Sequence, residues 1–137
     1  MPRKNRGLNT MNSTHSMKLE GLTIVITGGT SGIGYQLVSL LCPHNTVLVV
    51  AREGERLNNL EVQFPGIETF GADLSKPEQY EALADKLLKK HSKIDVLINN
   101  AAIQYTPDFL ANDFCYETIL NEINLNFTSV CSLSYLL

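Results

Sequence analysis

The apolar run LTIVIT, residues 22–27, passes directly into GGTSGIG and from there into YQLVSLL. No other stretch restricts the fold as strongly. The run is β-branched and apolar at odd and even positions alike, which is how a strand covered on both faces reads. Leu37, Leu40 and Leu41 then recur at helical spacing, and Pro43 stops the pattern. Glycine inside either element is unfavourable by roughly 0.5–1 kcal/mol relative to alanine. Gly28, Gly29, Gly32 and Gly34 therefore belong to the junction, where a residue without Cβ lets the backbone turn tightly and come close to a neighbour or a ligand.

The alternation continues down the chain. TVLVVA (46–51), IETFGA (67–72) and KIDVLINN (93–100) read as further strands. Between them, EGERLNNLEVQF suggests a helix ended near Pro65 and Gly66. SKPEQYEALADKLLKKH is a stronger helix, with Ser75 able to cap, Pro77 near the first turn, and Lys89, Lys90 and His91 favouring the C-terminal dipole. From about Ala111, the residues Phe114, Ile119, Leu120, Ile123, Phe127, Val130 and Cys131 recur at threes and fours, which predicts one long helix. Strands alternating with helices, joined by right-handed crossovers, give an α/β fold. The expectation is a Rossmann-like doubly wound parallel sheet in three αβα layers, truncated after about four strands.

Composition narrows the partners. The chain has 137 residues, enough for one domain, with 44% hydrophobic and 18% charged residues and a net charge of −3. Residues 1–17 hold Arg3, Lys4 and Arg6 and no acid, so residues 18–137 carry 8 bases against 14 acids, a balance of −6. Residues 1–17 are expected to be a flexible extension, and residues 18–137 the folded part. An acidic body does not seek nucleic acid or an anionic membrane. No apolar run reaches the ~18 residues of a membrane helix, and residues 1–17 lack the apolar core of a secretory signal. Cys42, Cys115 and Cys131 lie far apart without metal spacing, which points to free thiols and a cytoplasmic location.

The first glycine cluster sits where open α/β sheets bind ligands, at a strand's carboxyl end before a helix. The helix start after Gly32 offers unpaired N–H groups and the positive end of the dipole, which suit a diphosphate. GxxxxGK[ST] is absent, and so is GxGxxG; what stands is Thr27-Gly28-x-x-x-Gly32-Ile33-Gly34. Read alone, the same turn also serves a strand-to-helix junction that holds no ligand.

Four signatures in order resemble the short-chain dehydrogenases/reductases: TGGTSGIG, the ADL that carries Asp73, NNAA at 99–102, and Asn124 in the long helix. The likeness covers about residues 18–137, and NNAAIQ is similar to a bacterial subgroup often called DltE-like. The resemblance implies a nicotinamide dinucleotide as cofactor and a small alcohol or carbonyl compound as substrate. Thr30, Ser31, Gly32 and Ile33 would line the diphosphate together with Gly28, while Gly34 would let the helix pack on the strand. Asp73 would accept from the adenine amino group beside the Leu74 backbone; its other reading is a cap or a solvated turn carboxylate. Asn99 and Ala101 would contact ribose, and Asn100 would tie neighbouring strands. Ala102 stands where the family usually has Gly. Asn124 would anchor a water relay, or else simply bond backbone as a core-helix Asn. The long helix often packs against a second subunit in the family, which implies a homo-oligomer.

An acid at the end of the second strand would bind a ribose 2′-hydroxyl. Here Ala51 is followed by Arg52, which can pair with a 2′-phosphate, so NADP(H) is favoured over NAD(H). Glu53 is expected to point into the following helix start. The family's proton donor is a Tyr with a Lys four residues on, whose charge brings the phenol closer to working pH. Tyr35, Tyr80, Tyr105 and Tyr116 are followed at that position by Ser39, Ala84, Phe109 and Leu120, and Tyr135 by no residue. The expectation is therefore a part of such an oxidoreductase without its Tyr-x-x-x-Lys pair. The alternatives are a non-catalytic dinucleotide-binding module and an inactive remnant.

Overall fold

The computed structural model describes residues 19–106 and 115–137. The expected N-terminal extension and the expected helix start at Ala111 lie outside the described residues. The order is β1 (Thr23–Thr27), α1 (Gly32–Leu41), β2 (Thr46–Ala51), α2 (Glu55–Gln63) and β3 (Glu68–Gly71). A 3-10 turn (Pro77–Gln79), α3 (Tyr80–Lys90) and β4 (Val96–Ile98) come next. Beyond them lie α4 (Tyr116–Ile123), a π turn (Asn124–Thr128) and α5 (Ser129–Leu136).

The strands form one parallel sheet in the order β3-β2-β1-β4, a Rossmann-like α/β fold. Ile24 lies beside Val47 and Val96, and Ile26 beside Val49 and Ile98. The strand order reverses at β1, so the crevice beyond the carboxyl ends of β1 and β4 is the place such sheets offer a ligand.

Successive strand residues point to opposite faces, which is why these runs are apolar at both parities. Ile24, Ile26, Val47 and Val49 pack under Val38 of α1 and Leu57 and Leu60 of α2. Val25, Leu48 and Val50 pack under Leu83 and Leu87 of α3, Leu125 of the π turn and Leu133 of α5. Burying each such side chain stabilises by roughly 1.5–3 kcal/mol. No helix among the described residues is long and apolar enough to cross a membrane.

Two local expectations need correction. The long helix is interrupted: Asn124 carbonyl accepts from the Ser129 N–H five residues on, which widens the helix by one residue. Apolar spacing at threes and fours does not register one extra residue. Ser75 does not cap a helix either. Its hydroxyl and N–H both donate to Asp73 Oδ1, at 2.8 and 3.0 Å, because a carboxylate two residues back is the nearer acceptor.

Candidate functional site

The junction after β1 is built by close approaches. Gly28 has φ +71, and a Cβ there would lie 2.8 Å from the Ala101 Cα. A Cβ on Gly34 would strike the Gly28 carbonyl, so the first turn of α1 sits against the end of β1 only with glycine in place. Gly32 differs, since φ is +55 and nothing lies within 4 Å of where its Cβ would be. Ser31 holds the N-cap position of α1 in extended backbone, but its side chain makes no capping bond. The turn is tight on its protein side and open on the other.

Thr27 and Asn100 lock this turn to the end of β4. Thr27 is buried, and its Oγ1 accepts from the N–H groups of Asn100 and Ala101, both at 3.0 Å. Asn100 Nδ2 donates to the carbonyls of Thr27 and Gly28, at 3.0 and 3.1 Å. Asn100 thus ties the strands together, as the resemblance implied. Thr27 was not singled out from sequence, although its place at the end of β1 next to the glycines was the available signal.

Above the sheet edge opens a cleft of about 830 Å³, lined among others by Gly28, Thr30, Ser31, Ile33, Leu74 and Ala101. That volume lies within the roughly 300–1,000 Å³ usual for small-molecule sites. Arg52 lines it at the end of β2, and Arg56, in the first turn of α2, is a second guanidinium that the sequence reading missed. Glu53 corrects its expectation. It lines the cleft and lies against Gly71, where the missing Cβ leaves room for its Cγ.

Asp73 lies just behind the cleft's β3 side. Burial pushes its carboxyl upward, but the Ser75 hydroxyl and N–H, with the charges of Lys76 and Arg52, outweigh that and hold it below the usual range. Its Oδ1 is thus engaged by Ser75, while its backbone N–H donates to Gln79 Oε1 at 2.9 Å. Leu74, unlike Asp73, is part of the cleft wall.

Asn99 and Asn124 do not line the cleft. Asn99 Nδ2 reaches the Ser134 hydroxyl of α5 at 3.4 Å, a long contact. Asn124 Nδ2 donates to the Ser75 carbonyl at 3.2 Å, which turns its carboxamide toward the loop after β3. Asn126, two residues on, does not line the cleft either, but it bonds both backbone groups of Ile103, a lining residue. Residues two apart on a regular helix point to nearly opposite sides, but both asparagines lie in the π turn, where regular helical spacing does not hold.

The sequence pattern described as short chain dehydrogenase matches residues 22–137. A relative named uncharacterized oxidoreductase DltE, from Bacillus subtilis (strain 168), is 38% identical over 121 residues, covering 88% of this chain and 48% of the relative. A (+)-borneol dehydrogenase 1 of Salvia officinalis is 35% identical over 101 residues, 71% of this chain and 39% of its own. Among solved structures, a metagenomic short-chain oxidoreductase in complex with NADP superposes with a TM-score of 0.77 at 28% identity, covering 86% of this chain and 55% of that one. The chain spans half or less of the length of both curated relatives. Sequence pattern, relatives and fold agree, and the chain belongs to the short-chain dehydrogenase family.

Proposed function

We propose that this chain is the dinucleotide-binding part of an oxidoreductase acting on an alcohol or carbonyl compound, with NADP(H) preferred over NAD(H). The observation that carries the reading is the open side of the Gly28–Gly34 turn. Space stands free beside Gly32, and the Ser31 hydroxyl makes no cap at the start of a ten-residue helix. N–H groups at such a helix start and the dipole behind them fit a diphosphate.

The cleft continues on both sides of that point. Toward β2 and β3 it offers Ala72 and Leu74 for an adenine ring, and Arg52 and Arg56 for a 2′-phosphate. Toward β4 it offers Ala101, Ala102 and Ile103 for the nicotinamide end. A bound nicotinamide supplies the hydride chemistry. The protein's part is to hold and orient it, with Asn126 fixing the Ile103 wall. The solved relative with NADP supports the cofactor preference.

The 137 residues contain no Tyr-x-x-x-Lys pair. This favours a second, compatible reading in which the chain binds the dinucleotide without supplying a proton donor. A homo-oligomer also fits, because Tyr116, Leu120, Ile123 and Phe127 form an exposed apolar stripe at helical spacing, and β4 pairs only with β1 among the described strands. Titration with NADPH, followed by its fluorescence, tests the main reading: saturable binding is expected, and none would overturn it. Reduction of a generic carbonyl by this chain alone would overturn the second.

A further inference from the structure

We propose that Tyr80 and Asn124 are positioning residues: together they clasp the Leu74–Ser75 turn to the π turn and so set the adenosine side of the cleft. The inference rests on the dinucleotide reading above.

The Leu74 and Ser75 carbonyls are both bonded by groups that do not line the cleft. Tyr80 Oη donates to the Leu74 carbonyl at 2.8 Å and lies 3.0 Å from the Asn124 carbonyl, while Asn124 Nδ2 donates to the Ser75 carbonyl. A phenol has one proton, so Tyr80 shares it between a cleft-wall carbonyl and a π-turn carbonyl. Burial, followed by the nearby charges of Glu78 and Asp73, raises the Tyr80 pKa and keeps that proton in place.

The other bonds of this loop are local. Asp73 with Ser75, and Asp73 with Gln79, give the turn its shape. Tyr80 and Asn124 are the side chains that also reach the π turn. The same π turn puts Leu125 into the cleft and holds Ile103 on the opposite wall through Asn126. One five-residue turn therefore ties the two walls, and its wide hydrogen bonding leaves the Asn124 carbonyl able to take both the Ser129 N–H and the Tyr80 hydroxyl.

If Tyr80 were only core filling, its ring would suffice; a clasp needs the hydroxyl. The test is Tyr80→Phe and Asn124→Ala in the full chain, read by affinity for NADPH and for 2′,5′-ADP and by amide exchange at residues 74–76. Each variant is expected to weaken both ligands by about fivefold, the worth of one hydrogen bond, and to speed exchange at those amides while melting remains cooperative. The double variant should weaken binding by less than the product of the two. Ile67→Ala, in the core at the far end of β3, should lower the melting temperature and leave 2′,5′-ADP affinity unchanged. Equal binding by Tyr80→Phe and wild type, or an equal loss in Ile67→Ala, overturns the positioning role alone. A wild-type chain that binds neither ligand overturns the dinucleotide reading as well.

Discussion

Asn126 and Ile103 hold each other through both backbone groups: the Ile103 N–H donates to Oδ1 at 2.9 Å, and Nδ2 donates to the Ile103 carbonyl at 2.6 Å. A single carboxamide thereby stands in for a neighbouring strand in the segment beyond β4. Asn126→Asp keeps the acceptor and loses the donor, whereas Asn126→Leu loses both. Each bond is worth about 0.5–1.5 kcal/mol, so Asn126→Leu should be the less stable in urea denaturation. Amide exchange at Ile103 should be faster in Asn126→Leu, and unchanged exchange would count against the pairing.

Thr27 gives a sharper case, because its hydroxyl is the acceptor for two backbone N–H groups. Thr27→Val has nearly the same shape and strands both donors in a part-buried site. Unsatisfied donors cost about 1–3 kcal/mol each. Denaturation should show a loss of at least about 2 kcal/mol for Val and little for Thr27→Ser, which retains the oxygen.

Gly32 and Gly34 are required for different reasons, and asparagine separates them. At Gly32 the difficulty is φ +55 in open space, which asparagine tolerates better than alanine. At Gly34 it is contact with the Gly28 carbonyl, whose carbon would lie 2.9 Å from the new Cβ, and a larger side chain only worsens that. Thermal melting should rank Gly32→Asn above Gly32→Ala, and Gly34→Asn below Gly34→Ala. The opposite order at either position would refute the geometry given for it.

Arg52 reads the phosphate if the NADP(H) preference is right. Arg52→Ala should weaken NADPH roughly tenfold, as expected for loss of a charge-assisted bond, and leave NADH unchanged. Equal weakening of both would assign Arg52 to general attraction and not to the 2′ position.

Glu68 makes folding sensitive to acid. Burial pushes its carboxyl upward, but Lys90 Nζ at 2.8 Å and His91 Nε2 at 3.1 Å bring it below the ordinary value of 4.5. A carboxylate held lower in the folded chain than in the unfolded one stabilises above the unfolded value, and that contribution disappears as pH falls through the folded one. Glu68→Gln should therefore be the less stable chain near neutral pH, with the gap closing below pH 4.5. The gap is expected to be small, because Lys90 is largely exposed. A gap that widens in acid would reverse the assignment.

Much of this architecture is legible in residue order. Strands β1 and β2 fall within the runs LTIVIT and TVLVVA, since a run buried on both faces has no polar parity to confuse its reading. The glycine turn is legible too, because Gly32 and Gly34 answer to demands within the turn itself, although Gly28 is required by Ala101, far off in the chain. What escaped was contact across distance. Glu53 lies over Gly71, and Ser75 serves Asp73 before any helix, and neither follows from local propensity.

Sequence by itself determined the βαβ order and the place of the glycine junction in it, because propensity and pattern act among near neighbours, and right-handed crossovers then entail the parallel sheet. Tertiary structure alone decided which backbone each of the two helix asparagines holds. Asn124 turns to Ser75 and Asn126 to Ile103, and both lie in a π turn whose first carbonyl takes the Ser129 N–H and the Tyr80 hydroxyl. Apolar periodicity reports which side of a helix is buried; it carries no record of where the helix winds one residue wider.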